Sequence, residues 1–194
     1  MSTLVFLLEE PSAKNLLRAI VEHLVPKEIA VQYIVFEGKQ DLERELKRKL
    51  RFWCAPDSRF IVMRDQDSGD CITIKNKLLD IVTEAGRQET TLVRIACREL
   101  EAFFLGDLAA VEKGLNLRRL STLQNKNPYR APDALPNASQ VLKTATKDAY
   151  RKLEGSRLIS PHLDLSGKNK SHSFNVLVEA IQRQVAALTA NAQN

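Results

Sequence analysis

The chain of 194 residues has three cysteines, Cys54, Cys71 and Cys97, widely spaced and odd in number. There is no C-x-x-C pair and no histidine at zinc-ligand spacing from any of them, which argues against a Cys/His zinc site. A reduced, cytoplasmic protein with cysteines as small core residues is the expectation. Long apolar runs are missing as well. The first, LVFLL (4–8), is far short of the roughly 20 apolar residues that span a bilayer, and no charged-then-apolar leader precedes it. No membrane association is expected. The G-x-x-x-x-G-K spacing of a P-loop is absent around Gly38 and Lys39, and no Ser-His-Asp arrangement can be read from the spacing. Internal repeats and low-complexity segments are absent too.

What is present suits one sizeable core, since 44% of residues are hydrophobic. The formal charge of +5 is unevenly spread. From Leu115 to His172 eleven Lys and Arg face four Asp and Glu, an excess of +7, and the rest of the chain carries −2. A basic C-terminal part beside a mildly acidic N-terminal part suits a partner with phosphates, although a solvating lysine excess would look the same.

The first half alternates. Strand-like runs lie at 4–8, 31–36, 59–63 and 91–97, and helical periodicity lies at 13–24, 41–53 and 71–82. The order β-α-β-α-β-α-β predicts a parallel four-stranded sheet with helices on both faces. Residues 98–115 read as two short helices, with Asp107 capping the second. Periodicity vanishes from Arg119 to Ala138, where prolines and asparagines cluster. Two further helices are predicted. The first covers 139–153, with Leu142, Ala145, Ala149 and Leu153 inward; the second covers 173–188, with Ser173 as its cap. The tail TANAQN (189–194) is expected to fray. The chain divides into an α/β core, 1–115, and a basic loop with C-terminal helices, 116–194, packed on that core.

In an open parallel sheet, ligands sit at the carboxyl ends of the strands, and acids cluster there. Glu9 and Glu10 follow the first strand, Asp65, Asp67 and Asp70 the third, and Glu99 and Glu101 the fourth. Neighbouring strands are about 4.8 Å apart, so such carboxylates can share an ion, and in extended chain Asp65 and Asp67 point the same way. Mg²⁺ or Mn²⁺ is the expected cation, acting on a phosphodiester. Glu9, Asp65, Asp67 and Glu101 are the expected ligands, with Glu99 in reserve. Asp70 is expected to cap the next helix. Strands 1 and 3 are expected to be neighbours, because Glu9 must meet the aspartates, and the sheet order 2-1-3-4 satisfies this.

The segments LLEEPSAK and MRDQDSGD resemble the Toprim domain of topoisomerases, bacterial primases and overcoming-lysogenization-defect nucleases. Glu9 and Ser12 match the first motif, and Asp65 and Asp67 the paired aspartates; Glu10 replaces the usual glycine. The phrases EGKQDL, DQDSGDC, RELEAFFLGD and KSHSF further resemble small standalone bacterial Toprim-like proteins linked to ATPases in anti-phage cassettes. The resemblance implies a Toprim-like, Rossmann-like fold and a metal-dependent nuclease or nuclease subunit. It also implies a possible ATPase partner and a site lysine, for which Lys168 and Lys170 are the candidates.

Lys143, Lys147 and Arg151 at i, i+4, i+8 would form one helical row able to track a nucleic-acid backbone, DNA more readily than RNA, unless they are simply a solvated face. Tyr129 and Arg130 could grip a substrate or line a partner interface. Two rival readings remain. One is an inactive Toprim-like module that docks on an ATPase or nucleic acid. The other is a phospho-receiver-like domain with Glu9 and Glu10 as the acidic pair and Asp65 as acceptor.

Overall fold

In the computed structural model, which describes residues 1–191, the alternating pattern becomes three strand–helix units and a fourth strand. These are β1 (Thr3–Leu8), α1 (Pro11–Leu24), β2 (Ala30–Val35), α2 (Lys39–Arg51), β3 (Ser58–Asp65), α3 (Cys71–Glu84) and β4 (Thr91–Ala96). All strands are parallel, in the order β2-β1-β3-β4. The fold is α/β and Rossmann-like, with helices on both faces. The pairing of β1 with β3 sets Leu8 beside Met63, and that of β3 with β4 sets Asp65 beside Ala96, so the acids after these strands reach one edge.

The two faces follow from the period of two along each strand. Val5, Leu7, Phe60 and Val62 point to α2 and α3, where Leu42, Leu46, Leu50, Leu78 and Val82 cover them. Leu4, Phe6, Leu8, Ile61 and Met63 point to the other face. That side is covered by α1 and the chain after β4: α4 (Glu101–Leu105), α5 (Leu108–Gly114), α6 (Ala138–Ala145), α7 (Lys152–Ile159) and α8 (His172–Asn191). Residues from both proposed segments, such as Phe6, Phe104 and Ile181, share this single cluster. Among the described residues, no helix is long and apolar enough to cross a membrane.

Asp70 and Asp107 cap α3 and α5 as expected, accepting from the Thr73 and Ala110 amides. Several expectations need correcting. The α3 stripe is narrower than its periodicity suggests, since Leu79 is 37% exposed. The last helix begins at His172, and its cap is Ser171, whose Oγ accepts from the Phe174 amide at 3.2 Å. Ser173 instead accepts from the Cys97 amide. Thr189 to Asn191 continue that helix, and the rest of the expected fraying tail, 192–194, lies outside the described residues. The cysteines are not core residues: Cys54 is exposed, and Cys71 and Cys97 are half-buried.

The largest departure is the helix expected over 139–153. It stops at Ala145, and Lys147 and Asp148 turn left-handed (φ 52° and 61°) before α7 starts at Lys152. Thr146 explains the break. Its buried hydroxyl donates back to Leu142 and accepts from the Tyr150 amide at 3.2 Å, which competes with helix continuation. Tyr150 then enters the core, while Ala149 and Leu153, expected inward, are exposed.

Candidate functional site

The carboxyl edge of the sheet gathers Glu9, Glu10, Asp65 and Glu101 around a buried centre. Asp65, the last residue of β3, faces the α1 side like Ile61 and Met63, and is only 8% exposed. Burial raises its carboxyl well above the usual range, and the charges of Glu10, Glu101 and Glu9 add to the effect. Glu9 accepts from the Asp65 amide at 3.0 Å. Its own carboxyl is raised by burial, against the Asp65 amide and Arg64, with Asp67 and Glu10 pushing it further up.

Glu101 opens α4 and is 1% exposed. It accepts from the Tyr150 hydroxyl at 3.0 Å. Burial lifts its carboxyl despite Lys152 and Tyr150, which favour the charged form. Burial also drives the Tyr150 phenol far up, with Glu101 next in effect, so Tyr150 acts as a donor and not an acid. Glu10 accepts from the Ser12 hydroxyl and forms an ion pair with Lys152 at 2.5 Å. Partial burial works against the Lys152 charge. The bond to Glu10 and the fields of Glu101 and Asp65 outweigh it and raise the ammonium pKa.

Asp67 stands apart. Its φ is +54°, so the strand alternation that would aim it alongside Asp65 ends before it. Its carboxylate, 39% exposed, pairs with Lys39 at 2.8 Å. The Asp67 amide donates to the Arg98 carbonyl at 2.7 Å. Glu9 is coupled to both aspartates: its charge is felt by Asp65, and it feels that of Asp67. Behind Glu9, on the α2 face, buried Arg64 pairs with Glu43 at 2.5 Å and approaches Glu9 at 3.9 Å.

The other expected residues are dispersed. Glu99 accepts from the Ser139 amide at 2.7 Å, in the first turn of α6, so it fastens that helix to the core. Lys168 and Lys170 line a separate pocket with Gly106, Asp107 and Asp164. The lysine beside the acids is Lys152. The KNKSHSF segment is a clamp: Lys170 donates its amide to the Gly106 carbonyl, Asn169 donates to the Phe103 carbonyl, and Asp133 receives both Ser171 and Ser173. A Cβ on Gly106 would lie 1.9 Å from Asn169 Oδ1, so only glycine admits this approach. Lys143, Lys147 and Arg151 do not form one helical row, because α6 ends before Lys147 and Arg151 precedes α7. Arg130 is exposed, whereas Tyr129 is partly buried against the core.

Sequence reasoning placed Glu10 at this edge but not among the ligands, and missed Tyr150 and Lys152 altogether. The signal is Gly155, five residues after an aromatic in a lysine-rich stretch. A Cβ there would lie 2.4 Å from the Tyr150 ring.

Among the described residues, no group of three or more His, Cys, Asp and Glu is arranged to hold a metal as it stands. Each of Glu9, Glu10 and Glu101 is bonded to a protein donor. The donor set nevertheless has the chemistry of a hard-cation site: clustered carboxylates, with burial and the charges of Glu10, Glu101 and Glu9 raising the most buried aspartate against its bond from the Leu100 amide.

A family model described as a domain of unknown function (DUF4276) matches residues 8–182, and the chain belongs to that family. No curated protein and no solved structure matches it.

Proposed function

We propose that this DUF4276 protein is a Mg²⁺- or Mn²⁺-dependent phosphodiester hydrolase with its site at the Asp65 end of the sheet. The observation that carries the reading is Asp65 itself, a carboxylate 8% exposed that is raised by the charges of Glu10, Glu101 and Glu9 after burial, with Lys152 at the rim as the cation it is coupled to. A buried anion among anions is costly without a cation, and oxygen donors of this kind suit a hard divalent ion. Asp65, Glu9 and Glu101 are the residues that would hold it, with Glu10 beside them. A divalent ion there would polarise a phosphodiester and lower the pKa of a bound water.

The chain's own groups divide the remaining work. Tyr150 fixes the orientation of Glu101 through its hydroxyl. Lys152 keeps a positive charge at the rim, where a phosphate oxygen would meet it once Glu10 lets go. Lys39 holds Asp67 at the opposite side of Glu9. Arg64, buried behind Glu9, favours its ionised form. The basic excess between Leu115 and His172 supports a polyanionic substrate, and Lys152 is its contribution to the acidic edge.

The test is cleavage of supercoiled plasmid, single-stranded DNA and RNA with Mg²⁺, Mn²⁺ or EDTA, using wild type, Asp65→Asn and Glu101→Gln. Cleavage that needs the cation and disappears in both variants is the expected result. Cleavage unchanged in Asp65→Asn would remove the site from this edge. No cleavage of any substrate, with no thermal response to Mn²⁺, would end the reading.

A further inference from the structure

Two half-buried thiols share one cavity beside the outer strand of the sheet. Cys71 is the first residue of α3, and Cys97 directly follows β4. Both line one cavity of about 250 Å³, together with Val93, Ile95 and His172. Burial raises the Cys97 thiol, with Asp133 adding to the effect, and the Cys71 thiol and Ser173 are among the groups that act on it.

The main chain sets up this approach. The Gln66 amide donates to the Ala96 carbonyl at 3.0 Å, and the Asp67 amide to the Arg98 carbonyl at 2.7 Å. The Arg98 amide returns a bond to the Gln66 side chain at 3.2 Å. The loop leading into Cys71 is thereby fastened along the segment that carries Cys97. Cys54 precedes β3, toward the opposite end of the sheet, and has no part in the pair.

We propose that Cys71 and Cys97 form a dithiol site that small disulfide oxidants of the glutathione class convert to an intramolecular disulfide. One protein thiol, as thiolate, attacks a sulfur of the oxidant, forming a mixed disulfide and expelling one small thiolate. The second protein thiolate attacks the protein sulfur of that mixed disulfide and expels the other small thiolate. The two protons released by the cysteines go to the two leaving thiolates. The protein dithiol is oxidised and one oxidant disulfide is reduced to two thiols. The new bond ties the start of α3 to the turn before α4, joining the loop that carries Asp67 to the turn that leads into Glu101. The pairing itself does not depend on the reading of the acidic site.

The experiment exposes the full chain to excess oxidised glutathione and follows free thiols, intact mass and a non-reducing peptide map. The expected result is a Cys71–Cys97 linked peptide in wild type, whose exposed Cys54 takes up glutathione separately, and, in Cys54→Ser, a fall from two free thiols to none with a mass loss of about 2 Da, all reversed by dithiothreitol. Cys54→Ser should close in the same way, and Cys71→Ser should instead gain a glutathione adduct on Cys97. The proposal is overturned if wild type and Cys54→Ser keep Cys71 and Cys97 free, or carry separate glutathione adducts on both. The wild-type map decides the matter even where a variant fails to fold.

Discussion

Asp65 donates its backbone amide to Glu9 Oε2 at 3.0 Å, across the β1–β3 pairing. One bond thus holds the acid after β1 at the end of β3. The carboxyl of Asp65 itself accepts from the Leu100 amide and is raised by burial and by the charges of Glu10 and Glu101. These like charges govern how the site responds to pH, to substitution and to cations.

Burial and neighbouring carboxylates raise the folded-state pKa of Asp65, Glu9 and Glu101 above their ordinary values. In the window between the unfolded value, about 4, and the raised folded one, the native state binds more protons than the unfolded chain. Their contribution to stability is therefore present at low pH and lost as pH rises through the folded pKa. Asp70 and Glu84 are lowered and act in the opposite sense, so the comparison must be differential. Without divalent ions, Asp65→Asn should be more stable than wild type at pH 7 by about 1 kcal/mol, and the difference should shrink toward pH 4. Denaturant unfolding across that range reads it. A gap that widens on acidification would contradict the assignment.

Tyr150 and Gly155 are matched. Tyr150→Phe removes the donor to a carboxylate that is 1% exposed, and should cost about 1–2 kcal/mol. Gly155→Ala places a methyl 2.4 Å from the ring and should cost about 1–3 kcal/mol. Combining Gly155→Ala with Tyr150→Ala should cost clearly less than the sum of the two, because the clash needs the ring. Additive chemical-denaturation energies would mean that Gly155 matters for another reason.

Lys152 is the counter-charge of Glu10, but its side chain is 47% exposed, so solvent screens the pair. Lys152→Met should cost only about 0.5 kcal/mol without divalent ions. Mn²⁺ should offset that cost by relieving the same carboxylates. Activity should fall far more than stability. Lys168→Met and Lys170→Met, which touch the separate Asp107–Asp164 pocket, should leave cleavage near wild type.

The sheet is legible in the sequence because its signals are local and repeat. Leu42, Leu46 and Leu50 mark a helix face at fixed spacing, all three fully buried, and β1 is a run of uninterrupted apolar residues with both faces covered. Parallel order then puts Glu9 beside Asp65. The missing parts of the site depend on breaks in periodicity. The helical spacing of Leu142 and Ala145 is no guide beyond Thr146, where the chain turns. The residues that matter there, Tyr150 and Lys152, follow a left-handed pair, Lys147 and Asp148, that helical periodicity does not signal. Asp67 reads as a second inward aspartate for the same reason, since its positive φ is a property of the loop and not of the D-x-D pattern. Glu99 and KNKSHSF look like site elements but hold the C-terminal part in place, which only tertiary contacts reveal.

Asp67 and Asp65 therefore separate under titration. Asp65 has buried like charges around it, whereas Asp67 already has Lys39 at 2.8 Å. Mn²⁺ binding only the native state raises its melting temperature by mass action. Asp65→Asn should abolish most of that rise, because it removes the donor at the centre of the cluster. Asp67→Asn should retain a measurable part of it, and Lys39→Ala should enlarge it by freeing the Asp67 carboxylate beside Glu9. A melting series against Mn²⁺ for the four proteins distinguishes the cases. Equal shifts in wild type and Asp65→Asn would make this carboxylate cluster a folding feature with no cation to serve.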